Sequence, residues 1–211
     1  RAFFKAHQPL YDKMLANAEK YMPIKPQWEW CEKEFPDRYD SYRVTFSPLV
    51  NGWHCTNHFN NNGFRQTVMF ICSAEGKGKS LTEQDWEAMM TRVVLTEIDH
   101  NYVNPISNQY MTQIDAVFNN RPLWVNEKLA RGYSSPFMVF NEYMTWAVFS
   151  VYALEHYDAA TFEFINARVE KQMVEWRGFL KFKDFNEKVL DLYRHRSPGK
   201  KVYELYPEVL A

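Results

Sequence analysis

The sequence predicts an α+β domain: one helix, a small antiparallel sheet, then a mainly helical remainder built on two central helices. Three observations carry this. The segments "YRVTFSPLV", "GWHCTNHF" and "GFRQTVMFIC" have strand character and are separated by Asn-Gly and Asn-Asn-Asn-Gly turn signals. From residue 81 onward the apolar spacing turns helical. One of those helical stretches, residues 137–151, is apolar on every side, as only a core helix can be.

Taken in order, residues 1–40 read as an N-terminal helix and a connector. "FFKAHQPLYDKMLANAEKYM" has helical spacing at Leu10, Met14 and Ala18 and stops before Pro23. The Pro-, Trp- and Glu-rich stretch after it either lines a cleft that takes sugar or peptide, or packs its aromatics on the core. Residues 41–75 hold the sheet, and "SAEGKGKS" is a loop whose glycines and lysines lack phosphate-loop spacing. The helical part spans 81–211. Thr82 is placed to cap its first helix with Asp85 three residues on, and this helix is expected to run to about Tyr102. Ser135 caps the second, with Pro136 at its first position. Helices from Ala159 to about Phe182 and from Asp184 to about Arg196 follow, and "VYELYPEVLA" packs back as a short segment. The expectation is a single domain over 1–211.

The charge balance, 25 basic against 26 acidic residues, offers no electrostatic case for a nucleic-acid partner. No apolar run is long enough for a transmembrane segment. Cys31, Cys55 and Cys72 fit no C-x-x-C spacing, and an odd count allows one disulfide and leaves at least one free thiol or an intermolecular bond.

The stretch "LTEIDHNYVNP" reads as a helix end closed by Pro105, with Glu97 and His100 three residues apart. On a helical wheel both continue the stripe of Trp86, Met89, Met90 and Val93, with Thr96 at its edge and Asp85, Arg92 and Asp99 well away. An inward carboxylate needs a counter-charge, a proton or a cation. The plain alternative is that the stripe simply runs out, leaving Glu97 and His100 in water. In the second helix Glu142, beside Asn141, is surrounded by Met138, Val139, Trp146 and Phe149. It reads as a ligand or network member, the alternative being a hydrogen bond to backbone or to a buried arginine. Zinc peptidases of one class use H-E-x-x-H, two histidines a helical turn apart with the glutamate as general base, and a later helical glutamate as third ligand. Glu97, His100 and Glu142 occupy the base, second-ligand and third-ligand places; Thr96 stands where the first histidine belongs.

"TEIDHNYVNP" resembles the zincin-like domain of an uncharacterised protein family found largely in Bacteroidetes, whose motif is H-E-x-x-H, a small or polar residue, an aromatic, then V-N-P. The match falls at Glu97, His100, Tyr102, Val103, Asn104 and Pro105, and the departure at Thr96. The family's later N-E pair is matched by Asn141 and Glu142, with Trp146 where arginine is frequent. The likeness spans roughly residues 40 to 208. It implies a gluzincin-type metallopeptidase-like fold, Glu97 as catalytic base, His100 and Glu142 as metal ligands, and a periplasmic, cell-surface or secreted location.

Thr96 alters that expectation. A catalytic zinc takes three protein ligands and a water, and His100 with Glu142 supplies only two. Zinc is therefore expected to be weak or absent, while the fold need not suffer, since a buried Thr96 can hydrogen-bond the Arg92 carbonyl. The first functional expectation is a degenerate metallopeptidase-like domain that binds peptide or protein, by strand addition at the sheet edge. The second is an active zinc hydrolase whose missing ligand is His54 or His58, which lie on one side of a strand. A hard ion such as calcium on Glu97 and Glu142, and a purely structural module of a larger secreted protein, complete the alternatives.

Overall fold

Residues 1–50, 54–72 and 77–211 are described by a computed structural model, and its architecture is α+β: one three-stranded sheet among many helices. The expected Asn51-Gly52 turn and residues 73–76 of the expected loop lie outside the described residues. The chain divides into two units, Arg1–Glu29 with Arg38–Asn101, and Trp30–Asp37 with Tyr102–Ala211.

In the first unit, α1 (Ala2–Tyr21) packs on β1 (Ser41–Phe46) and on α3 (Glu83–Ile98). Tyr21 fixes the α1–α3 contact, donating to Glu83 at 2.9 Å and meeting the Trp86 ring edge-on. β2 (Cys55–Asn61) and β3 (Phe64–Ile71) form the expected hairpin. Its turn uses Asn62 and Gly63 at φ 51° and 87°, positive values that this turn requires and that Asn and Gly tolerate. The sheet is not wholly antiparallel, however: its order is β1-β3-β2, and β1 runs parallel to β3. The hairpin folds β3 back into the middle, beside β1 and in its direction, where local turn signals could not place it. Thr67, Met69 and Ile71 on one face of β3 are buried, and α3 packs against this strand; Phe64 and Phe70 on the other face are exposed. Thr82 caps α3 as expected, accepting from Asp85 N at 3.0 Å while Asp85 reaches back to Thr82 N at 3.3 Å.

The expected connector contains a further helix, α2 (Ile24–Glu34). Its buried positions Gln27, Trp30, Cys31 and Glu34, continued by Phe35, have helical spacing, but the two polar members break the apolar signature. The aromatics of this stretch mostly enter the core: Trp30, Phe35 and Tyr39 are buried, and Trp28 rests half-buried on Tyr42.

The second unit is helical. Its centre is α7 (Pro136–His156), buried without interruption from Val139 to Ala153 and capped by Ser135, which accepts from Met138 N at 3.2 Å. Around it lie α5 (Met111–Phe118), α8 (Ala159–Lys171) and α9 (Phe182–Arg194), with the four-residue α6 (Arg121–Trp124) between α5 and α7 in sequence. The expected helix to Phe182 stops sooner: α8 widens into a π-helical turn, Gln172–Trp176, and Gly178 at φ 77° redirects the chain. The C-terminal segment does pack back, through α10 (Tyr206–Val209), and Tyr206 donates to Val103 O at 3.2 Å. The α2 end is tied in by Glu34, fully buried, which accepts from Arg196 at 2.6 Å and from Val202 N at 3.1 Å.

Candidate functional site

The helix expected to run to Tyr102 and close at Pro105 breaks earlier. α3 ends at Ile98, Asp99 is its C-cap, and a new helix, α4 (His100–Ser107), starts at His100 and contains Pro105. Asn101 explains the break: its side-chain amide donates to Glu97 O at 3.3 Å and to Ile98 O at 3.2 Å, satisfying carbonyls a helix end leaves open. The same amide reaches Thr56 Oγ1 on β2 at 3.0 Å. Pro105 has no N–H for the carbonyl four residues before it, that of Asn101. Buried Tyr39 donates its hydroxyl there instead, at 3.0 Å.

Packing on more than one side of α3 changes which side chains are buried. Asp99, placed well off the stripe by the wheel, is fully buried, whereas Glu97 and His100 are only half-buried. The wheel takes one buried stripe, whereas α3 meets both the sheet and α1, so burial extends round most of its last two turns. Thr96 is buried and donates to Arg92 O at 2.9 Å, the bond open to a buried threonine at this place.

Of the two histidines considered as replacement ligands, His54 accepts from Cys72 N through Nδ1 at 3.3 Å, which engages that nitrogen. His58 is exposed on β2 and meets the Tyr39 ring edge-on.

Glu142 belongs to the second unit, Glu97 and His100 to the first. Both Asn141 and Glu142 are buried in the middle of the core helix. Trp146, one turn further on, donates Nε1 to Glu142 Oε1 at 2.9 Å, and Arg177 donates Nη2 to the same oxygen. Arg177 also bonds the Tyr133 hydroxyl, and its guanidinium lies 4.8 Å from the Trp146 ring centre and 5.7 Å from that of Phe179. Such packing holds a cation in a partly apolar setting. The π-helical turn brings Arg177 to this point. Sequence reasoning raised a buried arginine as the alternative partner without naming which. The local signal was thin: an Arg-Gly pair closing a helical stretch, 35 residues from the carboxylate it serves.

This donor set fits a zinc ion poorly. Thr96 spends its hydroxyl on its own helix, and Glu142 already has a cation. Within each unit, among the described residues, no three His, Cys, Asp or Glu side chains are grouped to hold a metal.

No protein-family model, no curated protein and no solved structure matches this chain.

Proposed function

We propose that this chain is a metallopeptidase-like binding module, related in plan to zincins but without efficient zinc hydrolysis, whose role is to hold a peptide or protein. The observation carrying the proposal is the pairing of Glu142 with Arg177 and Trp146. A guanidinium provides the counter-charge that the resemblance would assign to a metal. Thr96 points the same way, since a neutral hydroxyl bonded to Arg92 O has no call for a metal. For binding, the outer edge of β2 is the natural place in the first unit: β2 pairs only with β3 among the described strands, and most of its residues are exposed. An open strand edge recognises extended peptides through main-chain hydrogen bonds. The location adopted with this reading, cell envelope or outside the cell, rests on the resemblance.

The test is zinc stoichiometry by elemental analysis on the wild type, on Thr96→His and on Thr96→His with Arg177→Met. The expected result is no zinc in the wild type, and zinc acquired only when the histidine is restored. Zinc near one per chain in the wild type would overturn the proposal and return His54 and His58 as ligands. Zinc in none of the three would remove the zincin part of the reading and leave the binding module alone.

A further inference from the structure

In the second unit two loops clasp one another beside the Glu142–Arg177 pair. Asn126 N donates to Gly178 O at 2.7 Å and Leu180 N donates to Trp124 O at 2.8 Å, with Val125 and Phe179 in a β-bridge. Tyr143 rises from α7 to pin both loops, donating to Trp124 O at 2.6 Å and accepting from Lys181 N at 3.0 Å. Arg121 fastens the first loop from beneath, donating to Ala130 O and Tyr133 O, each at 2.8 Å. The clasp closes over a glycine: a Cβ at Gly178 would stand 2.8 Å from Leu129 Cβ. The two loops therefore form one preorganised surface.

The clasped loops and the π-helical turn that leads into them leave large apolar groups in solvent. Trp176 is 61% exposed, Leu129 54% and Leu180 45%, although a tryptophan and two leucines are the groups a monomer gains most by burying. The same segments carry Lys128, Arg131 and Lys181, all exposed, and none forms an ion pair among the described residues. The acids of these segments are engaged: Glu127 by Arg121, Glu142 by Arg177, Glu175 by Lys171 and Glu187 by Lys183; among the described residues of these segments Asp184 alone adds an unpaired negative charge. A chain of net charge −1 thus carries a local basic rim round an apolar centre. An aromatic and aliphatic centre within a charged rim is the anatomy of a polypeptide interface, and the rim's sign selects the partner.

We infer that the Trp176–Leu129–Leu180 surface docks an acidic polypeptide segment that carries aromatic or aliphatic anchors. The inference extends the binding-module reading to a site that the zincin resemblance does not supply, and it stands or falls separately from the β2 edge.

The probe is a display library of random linear peptides, panned on the intact wild-type chain and counter-panned on Leu129→Ser with Trp176→Ser. Both side chains are exposed, so the double variant keeps its melting temperature. The expected result is enrichment of peptides with several Asp or Glu beside Trp, Phe or Leu. Their affinity should fall by about tenfold or more in the double variant and in Lys128→Glu with Arg131→Glu, and should weaken with added salt. Enrichment of neutral or basic peptides, equal binding to the variants, or no enrichment overturns the inference. Peptides that bind both variants undiminished but are lost on a proline placed in β2 overturn it while supporting the strand-edge reading.

Discussion

Arg177 Nη2 donates to Glu142 Oε1, the oxygen that Trp146 Nε1 also reaches from one turn along the same helix. A carboxylate in the middle of the core helix is thereby neutralised from a turn 35 residues away. Removing only the cation strands the charge. Arg177→Met is expected to cost about 2–3 kcal/mol in urea unfolding, at or below the bottom of the ~3–5 kcal/mol range for buried pairs because the arginine keeps some solvent contact. Adding Glu142→Gln to Arg177→Met should restore part of that loss. Costs that simply add across the double-mutant cycle would mean that the two residues are not coupled.

Tyr39 and Pro105 make a second pair whose coupling is measurable. Tyr39→Phe leaves the Asn101 carbonyl without the hydroxyl it accepts, a loss of about 1–2 kcal/mol. In a Pro105→Ala background the helix can supply an N–H to that carbonyl, and the same tyrosine change should cost less than about 0.5 kcal/mol. Equal costs in both backgrounds would show that the hydroxyl does not stand in for the missing amide.

The reciprocal cap at the start of α3 makes a simpler forecast. Thr82→Ala is expected to lower stability by about 1 kcal/mol, and Asp85→Ala to add little afterwards because the two bonds support one another. Thermal unfolding of the single and double variants decides it.

Glu155 sets a pH window. Burial alone would raise its carboxyl, but hydrogen bonds from Tyr193 and Trp30 and the charges of Lys33 and Arg196 prevail and hold it below the ordinary carboxylate range. A folded state that binds the proton less tightly than the unfolded chain is stabilised at neutral pH and loses that stability as pH falls through the carboxylate range, below about 4.5. The advantage of wild type over Glu155→Gln in melting temperature should therefore shrink on acidification. A constant difference from neutral pH to pH of about 3 would contradict this. Tyr193 has the opposite sense: burial and the Glu155 contact raise its phenol, so its share of stability is lost as pH rises beyond about 10.

Local chemistry was legible in the sequence wherever a residue's partner lay within a turn or two of it. Thr82 with Asp85, Ser135 with Pro136, Asn62 with Gly63, and Thr96 with the Arg92 carbonyl all stand as their types and spacings required. The all-round apolar character of α7 likewise sufficed to put it in a core. What escaped depends on partners far along the chain. Nothing beside Glu34 announces Arg196 or Val202, so a helix with a charged residue on its buried face looked like a connector. Nothing in β1 says that β3 will lie beside it in parallel. The Asp99 reversal has a nearer cause: α3 is covered by both the sheet and α1, so a wheel read for one buried stripe misplaces it.

The tie between Glu34 and Arg196 spans 162 residues, and this sets a clock on the ribosome. At a synthesis rate of about 5–20 residues per second, Glu34 leaves the exit tunnel roughly 8–30 s before its arginine does. During that interval Trp30, Cys31 and Phe35, the apolar residues that share its face, have no finished core to enter. The nascent chain must carry a sticky, half-built helix through the synthesis of those 162 residues, and it is there that a chaperone would find it.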